Sequence, residues 1–474
     1  MISPSAKFKI CLIVDNPARD LDSLVIVAHR LANHGFDTFL VPMYSVGFEV
    51  PAIAPDFVLF NYARSANSQI IKSFHSAGIG IGVLDTEGGI WESVLQFVKS
   101  IAHEELHDFL DQYYVWGPIQ REALLEHTQL NPSIVFVTGS PRYDYCIEPW
   151  ISAIPAYQKE LKNYNLIISN FTLAYPRYAT PETEIKNMSE AGYESGYLQD
   201  RINDEIVTRV HLVELIKKIS QKFSDQIFVV RTHPFEDESD YLTIFKDYAN
   251  IKIVREGTVA AWLKQAKLVL HFNSSVAVDA TLMRIPVYSL DWISTNVSRG
   301  SSELPRKISI TLKNEEQLFQ AIRGETLLFS TDFPERNKFL HDWFYLADGQ
   351  AHSRVAALVR DFLNSRGHST DLGRCKKMFY YGSRNVKNWK GMVDAMGRSL
   401  LGAGNYQWVR NNILTKNFLR GTKSDKFFKV AQVNLLLEKL NQITSSKVLA
   451  LPLSAAVKNH TVGDSVYIPA TLNS

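Results

Sequence analysis

The sequence predicts an α/β protein: two doubly wound, Rossmann-like domains in tandem, followed by a helical, basic C-terminal extension. Three observations carry that reading. Short apolar runs rich in β-branched residues alternate with segments of helical period, the pattern of a mostly parallel sheet covered on both faces. The alternation breaks at a proline-punctuated stretch and then resumes. Beyond the second series the charge balance changes abruptly.

The first series, assigned to a domain over residues 1–155, opens with a predicted strand at Lys9 to Val14 that runs into Asp15-Asn16-Pro17. From Asp20 to Asn33, the residues Leu21, Leu24, Val25, Ala28 and Leu31 recur with a helical period. Further strands are expected at Phe36 to Val41, Asp56 to Asn61, Ile79 to Leu84, Gln112 to Trp116 and Ser133 to Val137. Helices are expected between them at Ser68 to Ser76, Trp91 to Ala102 and Ile119 to His127.

Pro149 and Pro155 punctuate a linker from Pro149 to Gln158, and a second domain follows over residues 156–330. Its strands are expected at Asn165 to Ser169, Ile227 to Val230, Ile251 to Val254, Leu268 to His271 and Val287 to Leu290, with a long helix from Asp200 to Lys222. The two domains are expected to face a cleft. Residues 331–365 read as crossover helices, in which Trp343, Phe344 and Tyr345 supply aromatic area to pack back on the first domain.

Composition sets the frame. With 46% hydrophobic and 21% charged residues over 474 positions, the chain reads as globular, with room for about three domains of roughly 150 residues. A net charge of +2 gives no reason to expect nucleic acid. Cys11, Cys146 and Cys375 are far apart and form no paired metal-ligand spacing, so they read as buried thiols in a reducing cytosol. No apolar run is long enough to span a membrane, and Met1 to Lys9 lacks the apolar run of a secretion signal; the expected location is the cytoplasm.

The basic region, residues 366–474, stands apart. From Arg366 to Lys439 there are fifteen Lys or Arg against four Asp or Glu, interleaved with Phe379, Tyr380, Trp389, Trp408, Phe418, Phe427 and Phe428. A basic helix with aromatics suits the anionic inner face of the cytoplasmic membrane. A solvated extension packed on its own domain or on a twin subunit explains it equally well.

The chemistry concentrates at strand ends. Arg231-Thr232-His233-Pro234-Phe235-Glu236 ends one strand, and His271-Phe272-Asn273-Ser274-Ser275 ends another. Ligands of open α/β sheets bind outside the carboxyl ends of the strands, where cationic and hydroxyl donors suit phosphate. Arg231, His233, Asn273, Ser274 and Ser275 are therefore candidate phosphate ligands of a nucleotide sugar. The bland alternatives are a strand-end histidine bonded to a carbonyl and a capped helix. Asp279 either accepts from a ribose hydroxyl or is an aspartate favoured near a helix start.

In the first domain Asp85 and Glu87 lie on a strand-end loop, and Gly88 lets a sugar approach the backbone. The two carboxylates form a candidate acid/base pair, although acids beside glycine are also ordinary turn formers. Arg142 either clamps an anionic sugar or acceptor, or pairs with Asp144 in a boundary turn. His103, Glu104, Glu105 and His107 lack the third-ligand context of a zinc site, and no metal or other cofactor is expected beyond the nucleotide-sugar co-substrate.

Together, Leu84-Asp85-Thr86-Glu87-Gly88-Gly89, Val115-Trp116-Gly117, Gly139 to Asp144, Arg231-Thr232-His233-Pro234 and Asn273-Ser274-Ser275 resemble the bacterial surface carbohydrate biosynthesis proteins, which belong with the GT-B glycosyltransferases. The chain is also similar to the CMP-sugar users of that class, the sialyl- and Kdo transferases. The resemblance covers Ile10 to Asp361. It implies a GT-B fold, a CMP-sugar donor, and a glycan or lipid-linked glycan acceptor of capsule or lipopolysaccharide synthesis. It also implies that His233, Ser274 and Ser275 hold the phosphate while Asp85 or Glu87 faces the sugar and acceptor. Asn170 stands where the covalent Kdo transferases carry an aspartate nucleophile; an amide there positions the sugar without forming an adduct. The stretches at Arg231 and Asn273 are similar, too, to teichoic-acid polymerases that use CDP-glycerol. A non-catalytic nucleotide-binding scaffold is the alternative outside the enzymes.

Overall fold

The structure is a computed structural model and describes residues 7–86, 94–101, 104–154, 160–190, 193–294, 304–325, 334–375, 426–457 and 463–471. Its described residues form two compact units, one built from 7–86, 94–153 and 341–471 and the other from 154–340. Glu87, Gly88, His103 and residues 376–425, which hold most of the basic tract, lie outside the described residues.

Each strand read from the sequence is present. In the first unit they are β1 (Lys9–Val14), β2 (Asp37–Pro42), β3 (Phe57–Phe60), β4 (Gly80–Leu84), β5 (Gln112–Val115) and β6 (Val135–Val137). In the second they are β7 (Tyr164–Ile168), β8 (Phe228–Arg231), β9 (Ile251–Val254), β10 (Ala266–His271) and β11 (Val287–Ser289), with the short β12 (Ile310–Thr311) added at the edge. These runs are apolar almost without alternation because the strands are covered on both faces, as parallel sheets require. β1, β3 and β7 illustrate this, with Ile10 to Val14, Phe57 to Phe60 and Leu166 to Ile168 all buried.

The second sheet is ordered β12-β11-β10-β7-β8-β9, and its neighbouring strands are parallel. The chain therefore starts in the middle, builds outward through β8 and β9, then returns to the other side of β7 to lay down β10, β11 and β12. That reversal makes β7 and β10 the topological switch point, the place where open sheets part their loops into a crevice. The long helix Ser195–Lys222 buries Leu212, Leu215, Ile216 and Ile219 in one core with Phe228, Val230, Leu268 and Leu270.

The first sheet runs β13 (Leu451–Pro452), β14 (Val466–Ile468), β2, β1, β3, β4, β5, β6, parallel from β2 to β6. Residues beyond the second unit return to it. Helix Ala351–Arg366 packs against helix Pro17–Asn33, and its first N–H groups are capped by a distant side chain: Asp144 accepts from Ala351 N at 3.0 Å and His352 N at 2.7 Å.

The end of the tail does more than the expected helix. After helix Val430–Thr444 come β13 (Leu451–Pro452) and β14 (Val466–Ile468), and β14 pairs antiparallel with β2. Buried Glu49 fastens this strand by accepting from Asp464 N and Ser465 N, each at 2.8 Å. Two- and three-residue strands leave no period to read, which is why they escape a sequence reading. No described helix is long and apolar enough to cross a membrane.

Candidate functional site

The carboxyl ends of β8, β7 and β10 lie side by side in the second sheet. Ile168 of β7 pairs with Arg231 of β8, and Ile167 with Leu270 of β10, which sets Ile168 level with His271. Asn170, His233 and Asn273 each stand two residues beyond that row, in the loops that follow three neighbouring strands. The residues that the sequence singled out separately thus share one strand edge.

His233 is half-buried, and its Nδ1 accepts the N–H of Phe235 at 3.2 Å. This partner assigns the tautomer: in the neutral ring Nε2 carries the proton and is the remaining donor. Burial, with Arg231 second, lowers its pKa to about 4. The ring is therefore a neutral donor at pH 7, suited to an oxygen of a phosphate ester.

The Asn170 loop is held by buried acids that the sequence reading passed over. Glu236, fully buried, accepts from Ser169 Oγ at 2.5 Å and Phe171 N at 3.1 Å. Glu205 accepts from Leu173 N at 3.1 Å and Ala174 N at 3.0 Å. Backbone bonds from Arg177 N to Phe235 O and from Asp237 N to Tyr175 O, each 2.9 Å, then zip this loop to the one after β8. Asn170 and His233 consequently ride on one braced body. Partners 31 to 67 residues away in sequence give no local pattern, and an isolated Glu reads as solvent-facing.

Burial raises both carboxyls, Glu205 to about 7 from an ordinary 4.5. A carboxyl whose folded value lies above its unfolded value contributes stability that is full below the unfolded value and lost as pH rises through the folded one. Glu205→Gln, which keeps an acceptor oxygen and cannot ionise, is expected to gain on the wild type by up to about 3 kcal/mol between pH 4.5 and 7; denaturant melts across that range check it.

The Asn-Ser-Ser loop rests on His271, which is buried with its pKa lowered to about 3 by desolvation. Its Nδ1 accepts from Ser274 N at 3.2 Å, so Nε2–H donates to Ser309 Oγ at 2.8 Å, and that hydroxyl donates in turn to Pro305 O. Ser274, 8% exposed, accepts from Val276 N at 3.3 Å and thereby opens helix Val276–Leu282. Ser275 makes no side-chain cap and is half-buried, leaving its hydroxyl, rather than that of Ser274, as the one offered at the surface.

Three other expectations are corrected by geometry. Arg231 is 7% exposed and donates to Arg255 O at 2.6 Å and Gly257 O at 2.8 Å, so it braces the loop after β9 instead of presenting itself to phosphate. Burial lowers its pKa to about 10. Asp279 is 2% exposed: a carboxylate that water does not reach is not offered to a ribose. Asp85 is likewise 2% exposed, with Oδ2 4.0 Å from the Arg64 guanidinium and its carbonyl accepting from Trp116 Nε1 at 2.6 Å. As placed, it is a partner of Arg64 and not an accessible base.

The turn from Gly139 to Asp144 is a socket for the returning chain. Asp144 caps helix Ala351–Arg366 and binds His352 Nδ1 at 2.8 Å. Arg354 Nε donates to Thr138 O at 2.7 Å. Gly117 meets the same segment so closely that a Cβ there would lie 2.3 Å from Asp342 O. Arg142 is half-buried over the ring of Tyr143, at 5.4 Å. Among the described residues no group of three or more His, Cys, Asp or Glu is placed to hold a metal ion.

No protein-family model matches the chain and no curated protein matches it. Among solved structures, the chain is similar to the UDP-GlcNAc 2-epimerase of Methanocaldococcus jannaschii in complex with UDP-GlcNAc and UDP, at 15% identity and a TM-score of 0.47, over 75% of this chain and 100% of that one. It is also similar to S. aureus MnaA with UDP, at 13% identity and a TM-score of 0.46, over 75% and 97% of the two chains. A third is the wall teichoic acid polymerase TagF soaked with CDPG, at 9% identity and a TM-score of 0.46, over 76% and 89%.

Proposed function

We propose that the chain is a glycosyltransferase of surface polysaccharide synthesis, in capsule or lipopolysaccharide, that takes its sugar from a nucleotide donor, CMP-linked, and passes it to a glycan or lipid-linked glycan. One observation supports the reading: Asn170, the neutral donor His233 and the Asn273–Ser275 turn follow the carboxyl ends of three neighbouring strands of a doubly wound sheet. His233 Nε2 and the Ser275 hydroxyl hold the phosphate, and Asn170 orients the sugar. The acid/base role falls to Glu87. The choice of CMP over other nucleotides follows from the resemblance of the His-Pro and Ser-Ser stretches to the CMP-sugar enzymes.

A thermal-shift panel of CMP, CDP, CDP-glycerol, UMP, UDP, GDP and ADP tests this, since a ligand bound only by the native state raises the melting temperature. Selective stabilisation by CMP is the expected result. Preference for CDP-glycerol would move the reaction to phosphodiester synthesis, preference for UDP or GDP would replace the donor, and no shift would leave a scaffold. We further propose a cytoplasmic enzyme whose basic tract rests on anionic lipid. Co-sedimentation with anionic liposomes at low salt, lost at high salt or when the Lys and Arg of residues 376–425 are replaced by Gln, is the expected outcome; binding that persists in both cases removes the membrane role.

A further inference from the structure

We propose that Phe235 is the stacking platform for the nucleobase of the ligand whose phosphate His233 holds; the inference rests on the nucleotide reading above. Phe235 is 46% exposed in the loop that follows β8. Its backbone is nonetheless fixed on both sides. Its N–H donates to His233 Nδ1 at 3.2 Å, and its C=O accepts from Arg177 N at 2.9 Å.

The ring has two aromatic neighbours. Its centroid lies 5.7 Å from that of His233 and 6.3 Å from that of Tyr178, whose ring plane is inclined to it by 72°. Tyr178 is covered by the Arg177 guanidinium, 5.7 Å from its centroid, and Arg177 is paired with Glu238. An apolar ring partly kept in water on a braced backbone, one ring away from a phosphate donor, matches how a nucleotide presents its parts: phosphate first, ribose between, a flat base beyond. Every base has a π-face, and stacking on an aromatic side chain contributes about 1–3 kcal/mol per base. Phe235 serves recognition of a nucleotide as such; it does not tell one base from another.

The experiment measures dissociation constants of CMP and of ribose 5-phosphate for the full chain, as wild type, Phe235→Ala and Phe235→Tyr. Because the ring is exposed, the melting temperatures of the unliganded variants are expected to match the wild type. Phe235→Ala is expected to weaken CMP about 5- to 150-fold and to leave ribose 5-phosphate within about twofold, while Phe235→Tyr restores CMP. If wild type binds CMP and Phe235→Ala binds it equally well, or if the variant loses both ligands to the same degree, the base does not sit on this ring and the proposal is overturned alone. If wild type binds neither ligand, the nucleotide reading falls and takes the platform with it.

Discussion

Replacing His233 by Asn is expected to abolish most of the stabilisation that CMP gives the wild type. The substitution separates two jobs of the ring. Nδ1 serves the fold by accepting from Phe235 N, and an Asn carbonyl can take over that bond. Nε2 serves the ligand, and the shorter side chain brings no donor to its position. A hydrogen bond to a charged group contributes about 1.5–3 kcal/mol, so the dissociation constant should rise by one to two orders of magnitude. At a ligand concentration that gives the wild type about 2.7 kcal/mol, a fiftyfold weaker site retains under about 1 kcal/mol. Thermal shift with and without CMP checks this. A ligand-induced shift equal to the wild type's removes His233 from the phosphate site.

Glu236→Ala should be the most damaging single substitution in the second unit. The fully buried carboxylate accepts from Ser169 Oγ and Phe171 N, and its loss strands both donors away from water. Two such bonds, with the desolvation left unpaid, amount to about 4 kcal/mol. Glu236→Gln is the informative control. One oxygen, Oε2, takes both donors, so a single amide carbonyl can replace it. Because burial raises the Glu236 pKa, the Gln variant is expected to gain on the wild type as pH rises. Urea melts of the three proteins, with CMP binding measured on the Gln variant, test whether this acid holds the Asn170 loop or only fills space. Equal stability of Ala and Gln variants would dismiss the clamp.

The strands were legible because a parallel sheet writes itself as uninterrupted apolar runs, and the positions of Asn170, His233 and Asn273 followed from where those runs stop. The roles of individual side chains were not. Arg231 reads as a phosphate ligand from its place at a strand end, yet the carbonyls of Arg255 and Gly257 lie nearer and take its guanidinium. Ser274 and Ser275 are equivalent on paper, and only the turn decides that the first binds backbone. Asp85 and Asp279 look like site acids because acids are expected outside; burial is a property of the packed chain. Glu205, Glu236 and His271 were missed for the converse reason, since their partners are assembled by the fold.

The strand at Val466–Ile468 has a consequence for how the molecule is made. It pairs with β2, more than four hundred positions upstream. Among the described residues the second unit is one stretch, 154–340, whereas the first needs pieces from both sides of it. Domains ordinarily fold in the order in which they leave the ribosome. Here the order inverts: the later-synthesised unit has its whole sheet as soon as its own segment emerges, while the earlier one waits, with the β2 edge uncovered, until residue 471 is free. An exposed strand edge is a template for pairing with other chains, so that waiting interval is when a nascent chain of this protein is most in need of a chaperone.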